Sequence, residues 1–551
     1  MASVCYKAWD YTPMKASRWL GAALLLLSTI RYPASVRRLP DYGRGRQLSR
    51  LCRSLLVTRL PRRSQAKAGH WSLATVCALL ISAANLFAQG SLTPPGAPAP
   101  TMKSLDQIAS TGVAINATNT PGDANTHFII SQSGSYFLTG NLAATKTTGI
   151  RVNAAGVTID LNGFQISRSS GGGGDGIFIT TISHRSTVRN GSVTDFAQGI
   201  NCQTTAARGC VFRDLVAANC TNIAIRAGEG AVLESCRVHD NSGVAGILTA
   251  NAGTLLNCTA VGNSASNAIQ AGAGSTLSNC AASSNTGTNA FSAGDGSSLT
   301  NCAATGNTLT GSAILAGSAC PLNNCAAFNN TATYGIQVGS GSSLANCTAG
   351  SNAAVTYGLY ADTGSSITNC STYSNSVSQI LNSAGIGTGV GSVISNSTSY
   401  SNSSPVPPPL GNRQGMGFSV GDRSTIQNST ARSNGGNGIY LSGDAAARGN
   451  NSVGNGLTSA PSGAGIHAIG SYNCVEGNNL VGNQYGVEVL GNHNIILNNT
   501  ASSNPSDSYF ISGGNSYGVI VDDNGGGGAA VSGSSAAATF GSPNAWANFT
   551  Y

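Results

Sequence analysis

Charge is the first thing this 551-residue chain lacks: only 9% of its residues are Asp, Glu, Lys or Arg. Aromatic residues are scarce as well, at 6%, with 4 Trp and 4 Met. A charge-laced helical surface and a core built on large rings are both excluded by this composition. The longest apolar runs, Trp19–Ile30 and Trp71–Ala84, fall short of the ~20 residues that a membrane-spanning helix needs. Beyond residue 88 lysine occurs only as Lys103 and Lys146. No glycine-rich loop runs into Lys-Ser/Thr, no Cys/His spacing suits zinc, and no serine sits at a nucleophile elbow, so those three common reaction types have no motif here.

A basic partner-binding surface is excluded too. The formal charge of +8 is concentrated at the start, because 14 of the 28 basic but only 2 of the 20 acidic residues precede Gln89. The rest carries 14 basic against 18 acidic residues, which argues against nucleic acid as a partner. Residues 1–88 read as a presequence ending in a signal peptide: Arg62, Arg63 and Lys67 form a positive flank, Trp71–Ala84 an apolar segment, and Leu86-Phe87-Ala88 a cleavage site before Gln89. The expected location is secreted or cell envelope, with the mature chain not embedded in a membrane. Residues 89–102 form a Pro-rich linker.

What the chain does have is small residues in strict period. Gly occupies 72 positions, and disorder would be the bland reading, but a disordered tract keeps no period. Cys236, Cys258, Cys280, Cys302, Cys325, Cys347 and Cys370 are spaced by 22, 22, 22, 23, 22 and 23 residues. Three positions before each lies Leu233, Leu255, Leu277, Leu299, Leu322, Leu344 or Ile367, and five after each lies Asn241, Asn263, Asn285, Asn307, Asn330, Asn352 or Asn375. Repeats of this length signify a solenoid.

Parity supplies the geometry. Inward residues of one strand sit two apart, yet Leu277 and Cys280 are three apart, so a bend falls between them. Asn279 suits that bend, since Asn tolerates left-handed backbone. Each coil therefore reads as strand, Asn turn, strand, Asn-rich turn, strand. The third strand opens on Gly followed by an aliphatic residue, as in Gly246-Ile247, Gly335-Ile336, Gly358-Leu359, Gly438-Ile439, Gly465-Ile466, Gly486-Val487 and Gly518-Val519. Helices are ruled out by the glycine content and the missing 3.6-residue period. The fold class is all-β: a right-handed parallel β-helix of about 16 coils over residues 149–523, at ~4.8 Å per coil. Residues 103–148 would form an N-terminal cap, in which His127–Leu142 alternates like strands, and 524–551 a C-terminal tail or cap closed by Trp546, Phe549 and Tyr551.

These stacked Leu, Cys and Asn columns, with Gly156-Val157-Thr158-Ile159-Asp160-Leu161-Asn162-Gly163-Phe164 and Val188-Arg189-Asn190-Gly191-Ser192 at the start, resemble the pectate-lyase-like superfamily of parallel β-helices. The resemblance spans roughly residues 125 to 523. It implies a fold that hosts lyases, hydrolases, epimerases, adhesins and inert scaffolds, with sugar held on the Gly-aliphatic strand face. Ca²⁺ is implied by the resemblance alone, and the family's Asp cluster and basic residue cannot be aligned here. No cofactor and no metal site are otherwise expected.

Ladder cysteines should be reduced, because in-register Cβ atoms ~4.8 Å apart exceed the span a disulfide accepts. Ser397, Ser429 and Ser452 are suited to continue their column. Cys202, Cys210 and Cys220 lie off the ladder, so a bridge among them stays open, as does one between Cys320 and Cys325.

The residue after each third-strand aliphatic defines an outward column: Arg226, Leu248, Gln270, Ser292, Leu315, Gln337, Tyr360, Ser419, Tyr440, His467, Glu488 and Ile520. Most are bland. Tyr440, His467 and Glu488 are not, for they combine an aromatic ring, a group titrating near neutrality and a carboxylate on successive coils. They are the candidate ligand-binding residues and, for an enzyme, the candidate catalytic ones. Segments Leu381–Gly391, Ser403–Gln414 and Gly454–Gly463 look like enlarged turns beside them. A second polar group near the start includes Asp175, His184, Arg185, Arg189, Asp195, Arg213, Asp214, Arg226, Arg237, His239 and Asp240, which reads as solvated surface or as a patch for anionic glycan. Three functions remain open: a monomeric secreted scaffold that binds polysaccharide or cell-surface glycan or builds a surface structure; a polysaccharide lyase, epimerase or hydrolase; and an adhesin that binds another protein.

Overall fold

The structure is a computed structural model that describes residues 112–551, apart from 170–172, 203–206, 378–382, 405–414, 458–462, 523–530, 534–536 and 539–543. The presequence and linker lie outside the described residues. Of the segments expected as enlarged turns, 381–382, 405–414 and 458–462 also lie outside the described residues, and Leu381–Gly391 is not a turn as a whole, because it contains the third-face strand Ala384–Thr388.

The described chain is an all-β, right-handed parallel β-helix of about 16 turns. No helix in it is long and apolar enough to cross a membrane. One coil shows the plan. Thr276–Ser278 forms the first face, Ala281–Ser283 the second and Asn289–Ala293 the third. Each strand pairs in parallel with its equivalents one coil before and after: Leu277 with Leu255 and Leu299, Ala282 with Ala260 and Ala304, Phe291 with Ile269 and Ile314. Leu277, Cys280, Ala282 and Phe291 are all essentially inaccessible to solvent. The bend inferred at Asn279 is real, with φ at 54°, as at Asn257 and Asn301. Two further left-handed corners complete the triangle, at Ser284 (φ 55°) and Gly296 (φ 66°).

One hydrogen-bonding device recurs at many of the corners. The residue just after the left-handed position points inward, and its backbone N–H donates to the side chain of its own equivalent on the next coil. At the second corner that side chain is Asn. Asn285 donates both its backbone N–H and its Nδ2 to Asn307 Oδ1 at 2.9 Å, while Nδ2 also donates to the Ala260 carbonyl at 3.0 Å. The ladder of backbone bonds runs from Cys220, which donates to Asn241 Oδ1, to Asn483, which donates to Asn504 Oδ1. Buried amides left unpaired would each cost ~1–3 kcal/mol, so the ladder turns a liability into the cement between coils.

The third corner does the same with Ser, through Ser275, Ser297, Ser342, Ser365, Ser392 and Ser424, and then with Asn473, Asn494 and Asn515. The first corner starts with Cys. Its column passes from Cys370 to Ser397 and Ser429, as expected, but then to Asn450, Asn478, Asn499 and Asn548. Ser452 does not belong to it. It lies two positions further on, opposite Ala431, and its hydroxyl donates to the Gly465 carbonyl.

The glycine of the third-face signature follows from the ladder. A Cβ at Gly358 would lie 2.8 Å from Asn375 Nδ2, and one at Gly465 2.8 Å from Asn483 Nδ2. Gly518-Val519 is not an instance of the signature. The strand that follows, Ile520–Asp522, pairs with Asn548–Thr550, whereas the third face continues from Tyr485–Val489 to Asp507–Ile511. At the other end, Thr126–Ile130 already pairs in parallel with Thr148–Val152, and Gly134–Phe137 with Val157–Asp160. Trp546 and Tyr551 are exposed.

All twelve described cysteines are free. Cys320 and Cys325 point to different carbonyls, those of Gly294 and Leu299. The Cys202 and Cys210 sulfurs approach to 3.6 Å without a bond. Hydrogen bonding with Cys236 together with burial pushes the Cys258 thiol up to about 12. Thiol counting on protein unfolded without reductant should therefore find at least the seven cysteines from Cys236 to Cys370 reactive. Near-complete oxidation would contradict the column geometry.

Candidate functional site

Outward positions on the third face are the ones free to carry chemistry, because the inward ones are committed to the core and the corners. Register assigns the column as Gln337, Tyr360, Gly387, Ser419, Tyr440, His467, Glu488 and Phe510. Two corrections follow. Gly387 occupies a place that had been skipped, and Phe510, not Ile520, follows Glu488.

Tyr440, His467 and Glu488 do fall on adjacent strands, as their spacing predicts. Their surroundings are not those of solvated strand residues: they are only 6%, 5% and 8% exposed. His467 Nδ1 lies 2.6 Å from Glu488 Oε2. The Tyr440 ring is stacked on the imidazole, with centroids 5.7 Å apart and planes 13° apart. That face of Tyr440 is therefore taken by His467 and not open to a sugar. The other side packs into a small apolar cluster with Ala384, Met416, Tyr357 and Ile469, separate from the main core.

This cluster contains what the sequence reading missed. Because Gly points inward, the residue before it points outward, which creates a second outward column: Tyr334, Tyr357, Ala384 and Met416. The signal was present in the repeated Tyr-Gly-aliphatic triplets at Tyr334, Tyr357 and Tyr485. Tyr334 stacks on Tyr357 at 6.2 Å, and Tyr360 lies 5.0 Å from Tyr357. The Tyr357 ring covers Gly387, where any Cβ would collide with it, and its hydroxyl bonds the Ser419 side chain. Burial pushes the Tyr357 phenol up to about 12.

Chemically, the pair offers an oriented imidazole. A carboxylate on Nδ1 fixes the ring and its tautomer, which leaves Nε2 without a hydrogen-bond partner among the described residues. Low exposure strengthens the interaction by lowering the local dielectric. No group of three or more His, Cys, Asp or Glu side chains is placed to hold a metal among the described residues, so Ca²⁺ finds no carboxylate cluster there.

The second polar group is split among faces instead of gathered into a patch. Arg189 pairs with Asp160 and Arg213 with Glu234 on the first face, while His239 contacts Asp240 at a corner. Asp195 accepts from Thr194 and Asn219. Only Asp175 and Arg226 lie on the third face.

A family model described as right-handed beta helix region matches residues 223–377 and 355–501, and the chain belongs to that family. No curated protein matches it by sequence. Among solved structures it is similar to the A-module of a mannuronan C-5 epimerase from Azotobacter vinelandii, at 14% identity over 66% of this chain and 90% of that one, with a TM-score of 0.28. It is similar also to tailspike protein 3 of bacteriophage CBA120, at 10% identity over 83% and 71% with a TM-score of 0.29. An alginate lyase in complex with G6 gives 11% identity over 68% and 83%, at 0.23. Superpositions of this quality locate no shared site.

The raised Tyr357 pKa has a testable sign. The native state holds this proton more tightly than the unfolded chain does, so its contribution is full below the unfolded value near ~10 and is lost as pH rises through about 12. Urea melts of wild type and Tyr357→Phe should converge between these pH values. A stability difference that is constant with pH would show that Tyr357 is not buried as described.

Proposed function

We propose that this β-helix is an extracellular glycan-binding protein whose groove lies on the third face at Tyr440, His467 and Glu488. The observation that carries the reading is the His467–Glu488 contact at 2.6 Å with both groups almost removed from water. Sheltering a titratable pair costs desolvation energy that a hydrocarbon pair would avoid, and the core does not need it, since these side chains point outward. Titratable side chains buried and oriented in this way, outside the core, are candidates for a functional site. The half-exposed column before them, Gln270, Ser292 and Gln337, has no such feature. In this site His467 Nε2 and the carboxylate hydrogen-bond sugar hydroxyls, and Tyr440 holds the imidazole plane.

A second reading, acid–base catalysis on a polysaccharide, is favoured by the same Nδ1–carboxylate contact, because it leaves Nε2 as an oriented base or acid. The chain would then be a lyase, epimerase or hydrolase, with Glu488 as the positioning residue. Incubation with a panel of acidic and neutral polysaccharides separates the two. For a binding protein, His467→Ala should weaken retention at least tenfold and no unsaturated or shortened product should form. For an enzyme, products appear with wild type and vanish with His467→Ala while retention persists. Glycan binding that survives the combined loss of Tyr440, His467 and Glu488 side chains would rule this groove out.

A further inference from the structure

Buried polar atoms without partners are rare in folded proteins, and each one calls for an explanation. Seven such side-chain atoms occur among the described residues. They are not scattered. Six belong to third-face strands of the first coils: His127 Nδ1, Arg151 Nε, Gln198 Oε1, Asn201 Oδ1, Arg226 Nε and Thr249 Oγ1.

Asn201, Gln198 and Arg226 form the centre of this group with Asp175. Gln198 and Asn201 share one strand, Asp175 pairs opposite Gln198 on the strand before, and Arg226 opposite Asn201 on the strand after. Asn201 is only 7% exposed. Its Nδ2 donates to Asp175 Oδ1 at 3.2 Å, yet its Oδ1 accepts nothing. Gln198 likewise offers an unused acceptor, and Arg226 an unused Nε–H with no ion-pair partner within 4 Å among the described residues. Two vacant acceptors and one vacant donor therefore lie on two adjacent coils, ~4.8 Å apart.

Charge narrows what fills them. Asp175 and Arg226 carry opposite signs on one small area, so the notch has no net charge with which to select a polyanion or a cation. Burial raises the Asp175 carboxyl, which further weakens any claim on a cation. The complementary chemistry is a group that donates and accepts at once and recurs along a chain. A hydroxyl does both. We infer that the third-face notch at Asp175, Gln198, Asn201 and Arg226 is a separate binding site for a neutral, polyhydroxylated chain such as an uncharged glycan lying along the solenoid axis.

This rests on the glycan-binding reading for its ligand class but not for its residues. It is tested in a chain whose other groove is disabled, with Tyr440, His467 and Glu488 all replaced by Ala. Isothermal titration of that variant with maltohexaose, cellohexaose, mannohexaose and hexamannuronate is expected to show binding of at least one neutral hexasaccharide, tighter than that of the acidic one. Adding Asn201→Leu or Arg226→Met should weaken it tenfold or more with melting temperature unchanged, and Gln198→Leu provides a third site variant should either fail to fold. The inference is overturned if the disabled-groove chain binds no neutral hexasaccharide, if it prefers hexamannuronate, or if binding is indifferent to these substitutions. Loss of all glycan binding on disabling Tyr440, His467 and Glu488 would sink this site and leave that groove standing. Binding sensitive only to Asn201 and Arg226 would do the reverse.

Discussion

A backbone N–H turned into the interior at a tight corner must find an acceptor, and the whole solenoid is organised around that need. Three left-handed corners per coil aim three such donors inward, where no water reaches them. At many corners the answer is one side chain, an Asn, Ser or Cys, that accepts from the coil before it. Asn does this best, because its Nδ2 continues the chain to the next Asn and back to a carbonyl. Ser accepts at about the same distance without the second donor, and the Cys sulfur accepts weakly, at 3.4 Å between Cys347 and Cys370. The three residue types replace one another along a column because they meet one requirement. In each case the left-handed residue before them is Asn, Gly, Ser or Asp more often than anything bulkier.

That constraint decides where function can lie. Inward positions are fixed by the core and the corners, and the glycines of the third face are fixed by the Asn ladder they abut. Only outward columns vary freely. On most coils they hold small polar residues that solvate the surface, and the first-face Arg–carboxylate pairs are exposed contacts of little energetic weight. The third face departs from this twice, at the stacked Tyr440–His467–Glu488 group and at the unsatisfied Asn201–Arg226 notch. Both departures spend stability on polar burial that the fold itself does not require.

The sequence made the architecture legible because the constraint is periodic: Cys, Leu and Asn recur at 22 or 23 residues wherever the coils are uniform. Legibility failed where coil length changed. Between Cys370 and Asn499 the intervals are 27, 32, 21, 28 and 21 residues, and Ser452 was taken for the column member because it resembles Ser397 and Ser429. Asn450, two residues earlier, meets the acceptor requirement, which the residue type alone did not reveal. Gly387 was invisible because it has no side chain to read. Tyr440, His467 and Glu488 were placed correctly relative to one another, since the coil register carries that information. Their burial was not foreseeable, because it depends on tertiary cover that no periodicity encodes. The Asn201 notch was equally hidden: an unsatisfied atom is a property of surroundings and not of sequence.

The corner ladder is best tested by hydrogen exchange resolved to single amides. Backbone N–H groups of Asn263, Asn285, Asn307 and Asn330 donate to the next Asn Oδ1 at 2.9 to 3.0 Å. They should exchange as slowly as the strand amides of Leu277 and Leu299, because opening either requires separating two coils. Exchange of these four corner amides at the rate of open surface turns, with the strands still protected, would contradict the claim that the ladder holds the coils together.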